Sequence, residues 1–101
     1  MRFIQSIGET TIISLKGRLD HTNAGALMEE LKTLAGKGVK RLEFHCEELE
    51  YISSAGIRAM VFSKQKIDKS IEIEVSIHKA APIIKDVFAL SGLDDYYDFI
   101  D

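Results

Sequence analysis

The chain has 101 residues, 46% hydrophobic and 29% charged, with a net charge of -3 and a pI near 5.6. These values fit one globular domain spanning residues 1–101, and they exclude a disordered chain or a general basic footprint for nucleic acid. No apolar run approaches the ~20 residues of a membrane helix, and Met1 to Ser6 lack the long apolar stretch of a signal peptide. The expectation is a soluble, cytoplasmic protein with no membrane insertion. The single cysteine, Cys46, excludes an internal disulfide and falls in an apolar strand pattern, where inert core packing is expected.

Residues 2–7 and 10–16 read as two strands around Gly8-Glu9, a two-residue connection with glycine first, as a type II′ hairpin turn prefers. The second strand is expected to end at Gly17, before the polar loop Arg18-Leu19-Asp20-His21-Thr22-Asn23. Ala24, Leu27, Met28, Leu31, Leu34 and Ala35 then recur at helical spacing, with Glu29, Glu30 and Lys32 off that face. Asn23 or Thr22 can cap this helix, and Gly36 suits its C-terminal end.

Val39 to Cys46 alternates, with Leu42, Phe44 and Cys46 set against Arg41, Glu43 and His45. Ile71 to His78 alternates in the same way. Each therefore reads as a strand with one dry and one wet face. Between them a helix runs from about Ala55 to Lys69. A last helix opens at Pro82, reaches about Ser91 and stops at Gly92. The acidic tail follows, with Tyr96, Phe99 and Ile100 expected to fasten it to the body.

The order β-β-α-β-α-β-α implies an α/β fold with a mixed, mostly parallel sheet and right-handed crossovers. Parallel strands covered on both faces read as unbroken apolar runs. These alternate, so the helices are expected mainly on one face, as in a βα superhelix. The wet sheet face argues against a large apolar dimer interface there, and a monomer or weak dimer is expected.

The junction Leu49-Glu50-Tyr51-Ile52-Ser53-Ser54-Ala55-Gly56-Ile57 holds two hydroxyls where a strand gives way to a helix. A helix start offers unpaired N–H groups and the positive end of the helix dipole, which favour an anion. A phosphate esterified to Ser54 is one such anion. On the residues alone, Ser53 and Ser54 can equally be plain caps, with Ser54 as the capping residue.

At these residues the chain resembles the STAS domains, the bacterial anti-sigma factor antagonists, and the resemblance covers the whole element order. Gly17-Arg18-Leu19-Asp20 with Asn23-Ala24 is similar to the family's loop before the first helix. Tyr51 to Ile57 is similar to the loop carrying its phosphorylated serine, and Gly92-Leu93 adds a weaker match. The resemblance implies phosphorylation at Ser54 and a partner surface of Asp20, Asn23, Ser53, Ser54, Ala55, Gly56, Arg58 and Phe62. It implies that Asp20 lies across the loop, where it can orient the serine. It implies as partners an anti-sigma factor that is also a serine-protein kinase, and a metal-dependent serine phosphatase. No cofactor is implied. Ser53 stands where some phospho-regulated members have Asp, and Arg58 where they often have Gly.

On the second helix, Ile57, Met60, Lys64 and Ile67 fall on one side, while Phe62 falls opposite with Arg58, Gln65 and Lys69. Phe62 is thus either a binding anchor on a cationic face or packing against a neighbouring helix. Lys64 is expected to snorkel. His21, His45 and His78 are dispersed, with none in a metal-ligand spacing, and Glu47, Glu48 and Glu50 read as a surface loop. Phosphate-loop, dinucleotide-fold and nucleophile-elbow patterns do not occur. The expectation is a binding module rather than an enzyme. The alternatives are an unphosphorylated accessory subunit of a signalling or lipid-transport complex, and a ligand-binding enzyme.

Overall fold

The computed structural model describes residues 2–65 and 73–101. Its elements run β1 (Ile4–Ser6), β2 (Thr10–Leu19), α1 (Ala24–Lys32), β3 (Arg41–Ile52), α2 (Ser54–Gln65), β4 (Glu74–His78), α3 (Pro82–Leu90) and β5 (Asp98–Ile100). The expected continuation of α2 to Lys69 and the expected strand residues Ile71 and Glu72 lie outside the described residues, as do the side chains of Gln65, Ile67 and Lys69.

The five strands form one sheet in chain order, β1-β2-β3-β4-β5. β1 is antiparallel to β2, and every later pair is parallel. Each βα unit therefore adds its strand on the same side of the last. Right-handed crossovers that always step in one direction place their helices on one face of the sheet. The burial pattern agrees: Ile13, Leu15, Leu42, Phe44, Cys46, Val75 and Ile77 are buried, while the residues between them face outward. Burial pushes the Cys46 thiol up to about 12, so it stays protonated within the core.

Several local expectations are corrected. Gly8 does not adopt a positive φ, so the first connection is not a type II′ turn. The hydroxyl of buried Thr11 holds the loop instead, accepting from Gly8 N–H at 3.2 Å and donating to Gly8 O at 2.9 Å. Strand β2 runs on to Leu19 through Gly17, whose φ is 64°. Its register with β3 shifts between Ser14 and Lys16 and again between Gly17 and Arg18. At each shift β3 carries one more residue than β2, a bulge that leaves two adjacent side chains facing outward. Glu47, Glu48 and Glu50 therefore belong to the strand rather than to a surface loop, and Leu49 and Ile52 still reach the core.

On α1, Ala35 lies beyond the helix and is exposed. Asn23 stands at the cap position but makes no capping hydrogen bond from its side chain. Gly36 is left-handed at φ 77°, but it lies past the helix end rather than at C′, because α1 stops at Lys32 with Thr33 as its C-cap. Glu30, on the helix's polar face, is put to structural use. Its carboxylate accepts the backbone N–H groups of Arg2, Phe3 and Ile4 at 3.0–3.1 Å, which fixes the N-terminal strand.

The tail forms edge strand β5. Its anchor is Tyr97, only 4% exposed, with Tyr96 and Phe99 half-buried, whereas Ile100 is 46% exposed. Phe88 of α3 meets Tyr97 and Phe99 edge-on at 5.4 and 5.5 Å. Such edge-to-face pairs add about 0.5–1.5 kcal/mol to the area they bury. The register explains why Ile100 is exposed: Phe99 pairs with buried Ile77 and faces the core, whereas Ile100 pairs with outward-facing His78.

Tyr97 Oη is buried without a hydrogen-bond partner among the described residues, and burial raises its pKa. Tyr97→Phe is therefore expected to leave stability unchanged or raise it by up to about 1 kcal/mol. Tyr97→Ala should cost about 3–5 kcal/mol. Urea denaturation of the two variants tests both values.

Candidate functional site at the start of helix α2

The parallel strands β2 and β3 end side by side, with Leu19 opposite Ile52. Both side chains are buried, so both ends are held down on the core. The Ser53 N–H donates to Leu19 O at 2.9 Å, and the chain then turns directly into α2. A Cβ at Gly56 would stand 2.8 Å from Leu19 O and 2.8 Å from Ile52 Cγ1. Only glycine lets the first turn of α2 lie this close to the strand ends.

The two serines divide the work differently from the expectation. Ser53, not Ser54, is at the cap: its Oγ accepts from Gly56 N–H at 3.4 Å and its carbonyl from Ile57 N–H at 2.9 Å. Ser54 is the first helical residue and is exposed. Its hydroxyl makes no hydrogen bond among the described residues. No acid occupies the first turn, and exposed Arg58 lies one turn further along. The arrangement presents a free hydroxyl at the positive end of a helix.

The neighbouring loop is held by Asn23 and Asp20. Asn23 Nδ2 donates to Arg18 O at 2.7 Å, and Asn23 Oδ1 accepts from Asp20 N–H at 2.9 Å. Asp20 is half-buried, and Oδ1 accepts from the Thr22 hydroxyl at 2.5 Å and from Thr22 N–H at 2.9 Å. Its Oδ2 lies 3.5 Å from Arg18 Nε. No hydrogen bond joins Asp20 to Ser53 or Ser54 among the described residues, so Asp20 shapes its own loop rather than orienting the serine directly. The Thr22 hydroxyl, then the Thr22 N–H and Arg18, hold the Asp20 carboxyl below its ordinary range.

Sequence reasoning passed over Arg18 and Tyr51 as a pair. They are register partners on β2 and β3, and the guanidinium lies 4.1 Å from the ring centroid. Tyr51 is 39% exposed, an aromatic surface bordering Ser53. The bulged register that makes them neighbours leaves no trace in residue spacing.

Phe62 is half-buried and packs against the core, so the reading that it projects freely from a wet face is corrected. The inner face of α2 runs through Gly56, Ala59, Met60 and fully buried Ser63, whose hydroxyl donates to Met60 O at 2.5 Å. Lys64 is half-buried, and its ammonium ends 5.1 Å from the centroid of the Tyr96 ring, on aromatic faces rather than wholly in water. Ala55 is half-buried at the mouth of the site, beside Ser54. The histidines are not all dispersed: His45 and His78 are register partners, with ring centroids 5.1 Å apart.

The one-directional sheet order, with helices on one face and a serine-bearing turn before the second helix, defines an α/β domain of the βα-superhelix kind. The family model for the STAS domain matches residues 2–101, and the chain belongs to that family. BtrV of Bordetella bronchiseptica, which carries the name of an anti-sigma factor antagonist, is 31% identical over 81 residues, covering 80% of this chain and 69% of BtrV. Among solved structures, the Thermotoga maritima protein TM1081 superposes with a TM-score of 0.84 at 18% identity, covering 98% of this chain and 86% of that one. The antagonist SpoIIAA in its unphosphorylated form gives 0.74 at 18% identity, covering 97% and 84%. The Bacillus SpoIIAA in its phosphorylated form gives 0.73 at 21% identity, covering 95% and 87%. The shared fold is thus a five-stranded, mostly parallel sheet with three helices. No helix among the described residues is long and apolar enough to cross a membrane.

Gly56→Ala should overpack the strand–helix junction and cost about 1–3 kcal/mol. Ser53→Ala should lose a weak cap, about 0.5–1 kcal/mol, and exposed Ser54→Ala should stay within about 0.5 kcal/mol of wild type. Chemical denaturation of the three variants gives this ranking or refutes it.

For Asp20 the folded pKa lies below the unfolded one. Its contribution is therefore present above the ordinary carboxylate range and is lost as pH falls through the depressed folded value. An NMR titration should place the Asp20 midpoint below 3.8, and Thr22→Val should move it up.

Proposed function

We propose that this chain is an anti-sigma factor antagonist whose partner binding is switched off by phosphorylation of Ser54. The observation that carries the reading is the split of roles at the start of α2: Ser53 caps the helix, leaving Ser54 exposed and unbonded. The exposed Ser54 hydroxyl is open to a kinase, and because the capping contact belongs to Ser53, esterifying Ser54 leaves that contact in place. The names of BtrV and SpoIIAA support the antagonist role, and the existence of SpoIIAA in both phosphorylation states supports the switch.

Phosphorylation adds a charge of roughly -1.5 to -2 and three strong acceptors. At the helix N-terminus this charge is tolerated by the domain itself. A partner seated over the turn must instead desolvate it. A penalty of ~3 kcal/mol already weakens binding roughly a hundredfold, and a near-complete switch needs about 5.5 kcal/mol of differential affinity. The docking surface in this reading is Ser53, Ser54, Ala55 and Arg58 at the start of α2, with Asp20 and Asn23 from the adjoining loop and Phe62 at the margin; Gly56, expected there from the resemblance, is buried against the strand ends and seats the helix instead. The partner is an anti-sigma factor that is also a serine kinase, and a serine phosphatase restores the unmodified form. The protein acts by binding, not by catalysis, in the cytoplasm, as a monomer or weak dimer.

The reading is tested with the cognate kinase and ATP, mapping the phosphate by mass spectrometry and measuring partner affinity by calorimetry. Ser54 should carry the phosphate, Ser54→Ala should bind like the unmodified protein, and the phosphorylated form should bind at least about a hundredfold more weakly. Modification elsewhere with Ser54 untouched, or unchanged affinity on phosphorylation, overturns the switch. The second outcome would favour a fixed accessory subunit.

A further inference from the structure

We propose that Glu43, His45 and His78 form a binding site for a divalent transition-metal ion of the zinc class on the helix-free face of the sheet. Their ligand atoms all lie within 4.8 Å of one another. His45 Nε2 is 3.1 Å and His78 Nε2 is 3.7 Å from the same Glu43 oxygen, Oε1. Zinc held by nitrogen and oxygen at 2.0–2.1 Å in tetrahedral geometry sets its ligands about 3.3 Å apart. The two gaps to Glu43 bracket that value, and with all three ligand atoms within 4.8 Å, side-chain rotations that draw the imidazoles together would close the site.

The backbone does the positioning. His45 and His78 are direct register partners on parallel strands β3 and β4, and Glu43 precedes His45 by two residues on the same face. Alternation along a strand and pairing across two strands thus bring three ligands to one wall, with no loop involved. Imidazole suits zinc, copper and nickel better than magnesium or calcium. One carboxylate and two imidazoles leave coordination positions open to solvent.

The surrounding charges do not compete. Arg41 is paired with Glu74 at 3.1 Å and Lys16 with Glu48 at 3.3 Å. Among the described residues, Glu43 forms ion-pair contacts with the two imidazoles alone. Ser76 Oγ lies 2.8 Å from His78 Nε2, and it has a second partner in Leu42 O at 3.5 Å. Turning to that carbonyl frees the imidazole lone pair for the ion. The site sits on the opposite face from the helices, so it is independent of the Ser54 switch.

The test is calorimetric titration of the full chain with zinc chloride in a non-chelating buffer, alongside thermal unfolding. One ion should bind per chain with micromolar or tighter affinity and raise the unfolding midpoint. His45→Ala and His78→Ala, at solvent-facing positions, should each weaken binding at least about tenfold. Glu43→Gln should weaken it too, and His21→Ala should leave it unchanged. Absence of micromolar binding by wild type, or undiminished binding by both His45→Ala and His78→Ala, overturns the proposal.

Discussion

The first turn of α2 touches the end of the sheet backbone-to-backbone, and much of the molecule's surface chemistry depends on that contact. Leu19 O receives the Ser53 N–H, and the Gly56 Cα sits where any Cβ would collide with the same oxygen. A helix seated this closely leaves its cap residue turned inward and its first residue turned outward. The missing side chain at Gly56 lets α2 begin this close to the strands, and Ser54 is exposed in its first turn. The adjoining loop is tied down separately through Asn23 and the Asp20–Thr22 bonds, so two short segments meet at one fixed edge.

The second constraint is the one-directional order of the strands. It gathers the helices on one face and gives the sheet a dry side and a wet side. The dry side holds the core from Ile13 across to Ile77. The wet side carries the acids and histidines that strand alternation sends outward. The β3 bulges let a strand rich in glutamate keep that division, because each extra residue shifts the phase just where two polar side chains follow one another.

Much of this was legible in residue order. Alternation in 41–46 and 74–78 marked two strands and their faces, and the spacing of Ala24, Leu27 and Leu31 marked α1. Pro82 and Gly92 bracketed the last helix, and the serine pair marked the junction. Other features were misread for identifiable reasons. Three glutamates between residues 47 and 50 look like a loop, because low strand propensity is overruled only by pairing with β2. Glu30 looks like solvated surface until the N-terminal strand delivers three N–H groups to it. Phe62 reads either as a surface anchor or as packing when α2 is considered alone, since helical spacing gives no account of a second packed flank.

The sequence by itself determined the class of fold, the dry and wet faces of the strands and the junction where two serines meet a helix start. These follow from periodicities of two and 3.6 and from local chain stiffness, which act over a few residues. Only the tertiary structure decided which serine caps, which tail aromatic is buried and which histidines meet. Each of those depends on register between segments tens of residues apart, set by the packing of whole strands and helices and not by any local preference.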